Sequence, residues 1–438
     1  MSRRRRVLWV ALGLMLGLFV GHFGVRARGR LEPPQVSVPA DAAAFARLSF
    51  EGSLRVVHLS GTPEQIGYSH ARLLRADMVH NEQVLMAELH RAVRPAPLRW
   101  LLLDLAQLRY RDLDRELDPA RRRELAALAL GFSPDPFADV FPTYQRFVYL
   151  NALYDIALSF EHSPLIGCTT FTFAEAGSAL LARAFDFDVH DVFDQQKAVF
   201  FVREAGQIPF ASVAWPGLPG VVSGMNRDGL ALVVHGGRAG EPRAQGEPVV
   251  HALRRVLSTA RSVDDAVKAF AEREPMVSHI VIAADAAGHA AAIERAPGLP
   301  PHARALPPRA AVTNHFQGPL AGDAKNQRVR RESTTLEREA RGTELALALG
   351  RPATVEDAVR LLRDRNAPGG APLPLGDRRA IDAHIATHGV VFDCVHRTLW
   401  VSEAPHLSGR FVAFDLAGEL ADPPHALAAA RPSVPARP

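Results

Sequence analysis

Hydrophobic positions change their period near residue 165. Before it, apolar side chains mostly recur at helical spacing. Gly61-Thr62-Pro63-Glu64-Gln65-Ile66-Gly67 opens a helix that runs through Leu74 toward Leu89, with Thr62 as N-cap, Pro63 in the first position and Gln65 three residues after the cap. Residues 99–117, 118–130 and 137–160 carry the same spacing, and Asp118-Pro119 supplies a second cap and first-turn proline. Only 54–59 reads as a strand in this half. Beyond 165 the pattern turns to alternation. Strands are predicted at 165–173, 181–188, 198–203, 208–213, 278–284, 290–294, 389–393 and 398–402, with a strand, turn and strand over 221–234 and a short strand ending at Phe316. Helices interrupt them at 248–259 and 262–273, from about Arg328 to Leu349, and at 354–363. No internal repeat is present. The pattern describes an α+β chain, helices first, dominated by one large domain.

The two ends differ from this body. Arg3 to Arg6 precede an apolar run from Val7 to Val25, and Arg26, Arg28 and Arg30 follow it. The run is close to the ~20 residues that span a bilayer, and no small-x-small cleavage site follows, so residues 1–30 read as a signal anchor rather than a signal peptide. The leading arginines orient the remainder to the extracytoplasmic, periplasmic side. Residues 31–45 form a Pro/Ala linker, and 421–438 an Ala/Pro-rich tail expected to be disordered. With 438 residues, 47% of them hydrophobic and 22% charged, the chain can bury a large core. Its net charge of +4 is concentrated in the first thirty residues, and the near-neutral remainder argues against nucleic-acid binding.

The chemistry centres on few residues. Cys168 and Cys394 are the only cysteines, too few for a disulfide framework, although a single bridge between them is arithmetically possible. Cys168 follows Gly167 at the start of an alternating run, and fifteen residues later Arg183 lies in a second strand with Asp186. Pairing of the two strands brings Arg183 or Asp186 beside the thiol, but three positions apart they face opposite sides, so a bulge is expected if both converge. A neighbouring cation favours thiolate. Two rival readings exist. Asp186, Asp188 and His190 share one face of a strand and suit a divalent ion in a metal-dependent hydrolase. Alternatively, Cys168 is a buried core residue of a non-catalytic, membrane-anchored binding domain. His70, a helical histidine, is read as structural.

Four stretches, in order, carry a resemblance: Gly61-Thr62-Pro63 through Gly67 and His70, Gly167-Cys168, Gly224-Met225-Asn226 through Gly229-Leu230, and Thr313-Asn314-His315. Together they resemble the N-terminal-nucleophile (Ntn) cysteine hydrolases of the isopenicillin-N acyltransferase, choloylglycine hydrolase and acid ceramidase type. The resemblance implies a four-layer αββα sandwich over 168–420, preceded by a mostly helical pro-segment, 46–167, that self-cleavage at Gly167-Cys168 releases as a small chain. It implies catalysis by Cys168, Arg183, Asp186, Asn314 and Arg328, with Arg183 favouring thiolate, Asp186 holding the new α-amino group and Asn314 donating to the oxyanion. Asn226 and His235 are candidate substrate contacts, the latter standing where many relatives carry asparagine. The implied activity is hydrolysis or acyl transfer on the C–N amide of a small-molecule or lipid-like substrate, with no metal or organic cofactor.

Overall fold

The computed structural model describes residues 9, 17, 20–38, 46–159, 166–175, 177–187, 192–421 and 430–437. Two sheets form its centre. The first has nine strands: β1 (Ala46–Glu51), β2 (Leu54–Gly61), β5 (Ala198–Glu204), β6 (Phe210–Ala214), β7 (Ser223–Asn226), β8 (Ala231–Gly236), β9 (His279–Ala284), β10 (Ala290–Arg295) and β11 (His302–Ala305), in that spatial order. The second has seven, in the order β12 (Arg309–Val312), β3 (Ile166–Glu175), β4 (Ser178–Phe187), β13 (Ala386–Asp393), β14 (Thr398–Ser402), β15 (Phe411–Asp415) and β16 (Ser433–Val434).

Alternation along each strand assigns its two faces to different cores. Leu181 and Val390 of the second sheet pack against Phe201, Val213 and Ile282 of the first, closing the layer between sheets. On the outer side of the second sheet, Phe171, Leu180 and Ala182 meet Ala346, Val359 and Leu362 of the helices α9 (Thr335–Leu347) and α10 (Val355–Leu362). On the outer side of the first, Leu59, Phe200 and Leu232 meet Leu74, Leu125 and Leu253. These belong to α1 (Pro63–Ala92), α3 (Pro119–Gly131) and α6 (Val249–Thr259), with α7 (Val263–Ala271) beside them. The order of layers is therefore helix, sheet, sheet, helix.

The Thr62 capping box forms as expected, its hydroxyl accepting from Gln65 N and the Gln65 side chain accepting from Thr62 N. Gly67 in the same motif marks a close crossing: a Cβ there would lie 2.0 Å from the Glu124 carbonyl oxygen of α3. Several predicted boundaries shift. The helix expected over 137–160 is instead α4 (Thr143–Asn151) and α5 (Leu153–Leu158), and that over 99–117 becomes α2 (Ala96–Arg109) plus a 3-10 turn. The long helix after Arg328 breaks at Ser333, separating α8 (Ala324–Glu332) from α9. The disordered-tail expectation is corrected for its described end, because β16 pairs with β15 and Arg431 binds Glu419; residues 422–429 lie outside the described residues. The expected anchor falls mainly on residues outside those described, and no described helix is long and apolar enough to cross a membrane.

The segment before Cys168 is built into the body. β2 pairs in parallel with β5, and β1 extends the sheet. A buried ionic quartet joins the two sides. Arg121 binds Glu124 and Glu204, and Arg254 binds Glu124 at 2.7 Å and Glu204 at 3.2 Å. Two guanidinium groups and two carboxylates balance there, so removing one leaves an unpaired buried charge. Glu124→Ala is expected to lower stability by about 3–5 kcal/mol, read as a shifted urea midpoint; an unchanged midpoint would show that the quartet does not hold the segments together.

Candidate active site

β3 and β4 form an uninterrupted antiparallel ladder, with Gly167 opposite Asp186, Cys168 opposite Phe185 and Thr170 opposite Arg183. The bulge expected between them is absent. The ladder's irregularity lies on the other edge of β4, against β13 between Ala386 and His388. Arg183 and Asp186 therefore approach Cys168 from opposite faces of one sheet. On the inner face Arg183 Nη2 reaches Cys168 Sγ at 3.4 Å, and on the outer face Asp186 lies beside Gly167.

Arg183 is completely buried. Its Nη2 also donates to the Val234 carbonyl at 2.6 Å, its Nη1 to the Val222 carbonyl and Ser223 hydroxyl, and the guanidinium carbon lies 3.9 Å from the centroid of the Phe185 ring. No ion pair joins it to a carboxylate among the described residues. Burial raises the Cys168 thiol above its ordinary value; Arg183 pulls against this, and Asp186 adds to it. Desolvation wins, so in the uncleaved chain the thiol is protonated at neutral pH, whatever the nearness of the arginine suggests.

The main-chain nitrogen of Cys168 has its own partner. It donates to Asn314 Oδ1 at 2.8 Å, which also accepts from Arg338 Nη2 at 2.9 Å, while Asn314 Nδ2 donates to the Gly236 carbonyl at 3.0 Å. Arg338 further binds the Cys168 carbonyl and the Thr169 hydroxyl. In the uncleaved chain the Cys168 nitrogen is thus held by Asn314 and not by Asp186, to which the resemblance assigns the free α-amino group. Burial raises the Asp186 carboxyl, while Arg338 and Arg378 pull it down.

Three further expectations are corrected. Arg328 is exposed on α8 and pairs with Glu332 at 2.8 Å; the guanidinium at the site is that of Arg338, one helix later. Asn226 is fully buried and clamps its own turn, accepting from Asp228 N and Leu230 N while donating to the carbonyls of Leu257 and Ala260. The turn needs it there, with Gly229 at φ +90°. His235 is likewise enclosed. Its Nδ1 donates to the Thr313 carbonyl at 3.0 Å, leaving Nε2 to accept from the Thr170 hydroxyl at 2.6 Å. Burial, with Arg183, holds it neutral, and neither Asn226 nor His235 is exposed to a substrate. His70 is structural as read: its Nε2 accepts from Gly217 N at 2.9 Å, and burial lowers its pKa to about 3.

Cys168 and Cys394 are both free, which excludes the bridge. Of the alternative metal set, Asp188 and His190 lie outside the described residues, and Asp186 sits beside two arginines. Among the described residues no three His, Cys, Asp or Glu side chains group to hold an ion.

Arg338 was missed by sequence reading although a signal existed. Thr335, Arg338, Arg341, Gly342 and Ala346 form the buried stripe of α9 at helical spacing, and that stripe puts Arg338 against the sheet. Tyr154 was missed too. It is close enough for Cys168 to help raise its pKa, after burial, and its ring stacks 6.4 Å from Phe185. The two rings border a cleft with an empty volume of about 800 Å³, part of it open to solvent, lined also by Met78, Asn81, Glu82, Phe147, Trp215 and Val250.

A four-layer α+β sandwich with a cysteine engaged through both sulfur and nitrogen at a strand start defines an Ntn-hydrolase-like protein. The profile of the acyl-coenzyme A:6-aminopenicillanic acid acyl-transferase family matches residues 173–404, and the chain belongs to that family. The match begins after Cys168, so the assignment of this cysteine rests on the geometry above. No curated protein matches. Among solved structures, an N-acylethanolamine-hydrolyzing acid amidase ortholog from Caenorhabditis elegans aligns at TM-score 0.39 and 15% identity, over 52% of this chain and 93% of that one. Penicillin V acylase from Agrobacterium tumefaciens gives 0.37 and 18%, over 59% and 89%. A variant of conjugated bile acid hydrolase from Clostridium perfringens gives 0.40 and 11%, over 57% and 93%.

Burial pushes the Glu82 carboxyl up from 4.5 to about 7, against the pull of Arg146 and with the push of Asp135. A value raised by folding contributes stability that is complete below about pH 4.5 and is lost as pH rises through about 7. Glu82→Gln in a Cys168→Ala background should therefore gain stability relative to its parent across that window. Urea midpoints that differ by a constant amount at every pH would contradict this assignment.

Proposed function

We propose that this chain is a self-processing amidohydrolase or acyltransferase that forms a thioester on Cys168. The observation that supports it most is that both reactive atoms of one residue are separately engaged, the sulfur by Arg183 and the nitrogen by Asn314, where an apolar cleft meets the sheet ladder. In processing, Cys168 Sγ attacks the Gly167 carbonyl, the C–N bond breaks, and the Gly167 acyl group passes to sulfur. Water then hydrolyses that thioester, giving a Gly167 carboxylate, a free thiol and a free α-amino group. Glycine suits position 167, because an added Cβ would press within 3.2 Å of Asp186 Oδ2.

In turnover the α-amine, with an ordinary pKa of about 7.7–8, takes the thiol proton, and Asn314 Oδ1 keeps that amine beside its own sulfur. The sulfur attacks the substrate carbonyl, and the α-ammonium returns the proton to the departing amine. Water or a second amine then releases the acyl group. The second N–H of Asn314 Nδ2 is the donor for the oxyanion. Arg183 stabilises thiolate once opening of the chain hydrates the sulfur, and Arg338 fixes Asn314 and the Cys168 carbonyl.

Intact mass and N-terminal sequencing test the reading. The wild type should yield a fragment beginning at Cys168 and Cys168→Ala should remain whole; an uncut wild type would sink the mechanism. In processed enzyme, Asn314→Ala should lower kcat on an amide by about 10²–10³-fold, and wild-type turnover in that variant would remove Asn314 from the oxyanion site.

The same reading extends to location. The run from Val7 to Val25 anchors the chain, with the body on the extracytoplasmic side and a lipid-like amide as substrate. Support comes from the exposed side chains of Val20 and Phe23, and from Leu98, Trp100, Leu101 and Leu105 on α2, which His22 ties to this segment through Asp104 at 2.7 Å. Carbonate-washed membranes should retain the full chain and release one lacking residues 1–25; identical partitioning of the two would reject the anchor.

A further inference from the structure

The cleft beside Cys168 is apolar on most of its surface, yet its hydrogen-bonding groups are unevenly sourced. Its walls come from both sides of the Gly167-Cys168 bond: Met78, Leu85 and Phe147 before it, Phe187, Trp215 and Val250 after it. The Trp215 indole is already spent on the Phe193 carbonyl at 2.7 Å. Among the described residues, the other hydrogen-bonding side chains lining it, Asn81, Glu82, Asn151 and Tyr154, all precede the bond.

Three of these carry atoms with no partner. Asn81 is 5% exposed, and neither its Oδ1 nor its Nδ2 is hydrogen-bonded. Asn151 donates through Nδ2 to the carbonyls of Phe147 and Gly217, but its Oδ1 accepts nothing. The Tyr154 hydroxyl is also without a partner. A buried amide left unpaired is costly, and native proteins retain few such groups. Glu82 differs, since it is engaged by Arg146, which Asp135 holds from the other side. Among the described residues no lysine or arginine lines the cleft to balance an anionic ligand.

We infer that this cleft is the acyl subsite, and that Asn81, with Asn151 Oδ1 as a second acceptor, selects acyl groups that are largely apolar and carry one neutral hydrogen-bonding substituent, a hydroxyl or a carbonyl, along the chain. The identity of the ligand as an acyl group rests on the amidohydrolase reading. The aliphatic and aromatic walls take the chain, and the substituent satisfies an amide that would otherwise stay unpaired. An unsubstituted chain leaves Asn81 desolvated and bare, which is the stronger source of discrimination. Selection by this site also places the specificity in the segment before Cys168, apart from the residues that perform the chemistry.

Binding tests this separately from turnover. The full-length Cys168→Ala chain, which keeps the cleft in its uncleaved form, is titrated with alkanamides of equal length, with and without one chain hydroxyl, the hydroxyl being moved along the series. One or more hydroxylated isomers should bind about tenfold or more tightly than the plain amide, in line with the cost of one unpaired buried group. Asn81→Leu added to that chain should abolish the difference while leaving the plain amide bound as well or better. Equal binding of every pair, or a preference that survives Asn81→Leu, overturns the assignment, and the first comparison needs no variant at position 81. Mass analysis of wild-type enzyme mixed with the same amides separates the two ideas. A binding preference with neither an acyl adduct on Cys168 nor release of the free carboxylic acid would end the amidohydrolase reading and leave a ligand subsite, whereas adduct or acid without the preference would do the reverse.

Discussion

A positive charge sealed between two sheets is the constraint from which the rest of the site follows. Arg183 cannot be solvated where it stands, so the fold surrounds it with the carbonyls of Val222 and Val234, the Ser223 hydroxyl and the face of Phe185. Ser223 and Val234 belong to the nine-stranded sheet and Val222 leads into it, while Arg183 itself belongs to the seven-stranded one. The charge thus pins the sheets at one relative position. Cys168 sits on the same face, two residues before the partner of Arg183 in the ladder, and the sulfur falls within reach. Asn314, two residues past the end of β12, completes the arrangement because β12 pairs with β3 up to Val312 opposite Thr170.

The uncleaved chain is electrostatically quiet. Burial keeps Cys168 protonated, and Asp186 works in the same direction. Asn314 is occupied on both sides of its amide. Little in this state activates sulfur as a nucleophile in bulk solution, yet the one carbonyl that needs no diffusion, that of Gly167, is adjacent to it. An intramolecular attack gains from proximity what it lacks in thiolate.

Much of this was legible in the sequence, for identifiable reasons. Cys168 and Arg183 lie on strands whose alternation is clean, so their approach followed from period and order, whereas Asn314 was reached only through the resemblance. The odd separation of Asp186 from Arg183 put the two on opposite faces of the strand, as the ladder has them, while the role of Asp186 came only from the resemblance. Arg328 was taken from the resemblance and its spacing after Asn314, and Arg338 was not singled out because the break at Ser333 is not visible in a continuous helical pattern. Asn226 and His235 exposed another limit: a polar residue inside a turn or strand reads alike whether it faces a ligand or its own backbone. The edge strands β1, β11 and β16, and β15 beside the last of them, escaped notice because they are short or weakly apolar, and the sheet rather than local propensity makes them strands.

The parallel pairing of β2 with β5 bears on how the enzyme persists. If the bond before Cys168 is cut, one sheet is shared between two polypeptides whose only ties are non-covalent. The intact precursor folds as a single molecule, but its products, once separated, must find each other again at a rate set by their concentration. Cleavage therefore converts a reversible folding problem into a kinetic one, and the lifetime of the mature enzyme depends on how slowly it opens rather than on how readily it refolds.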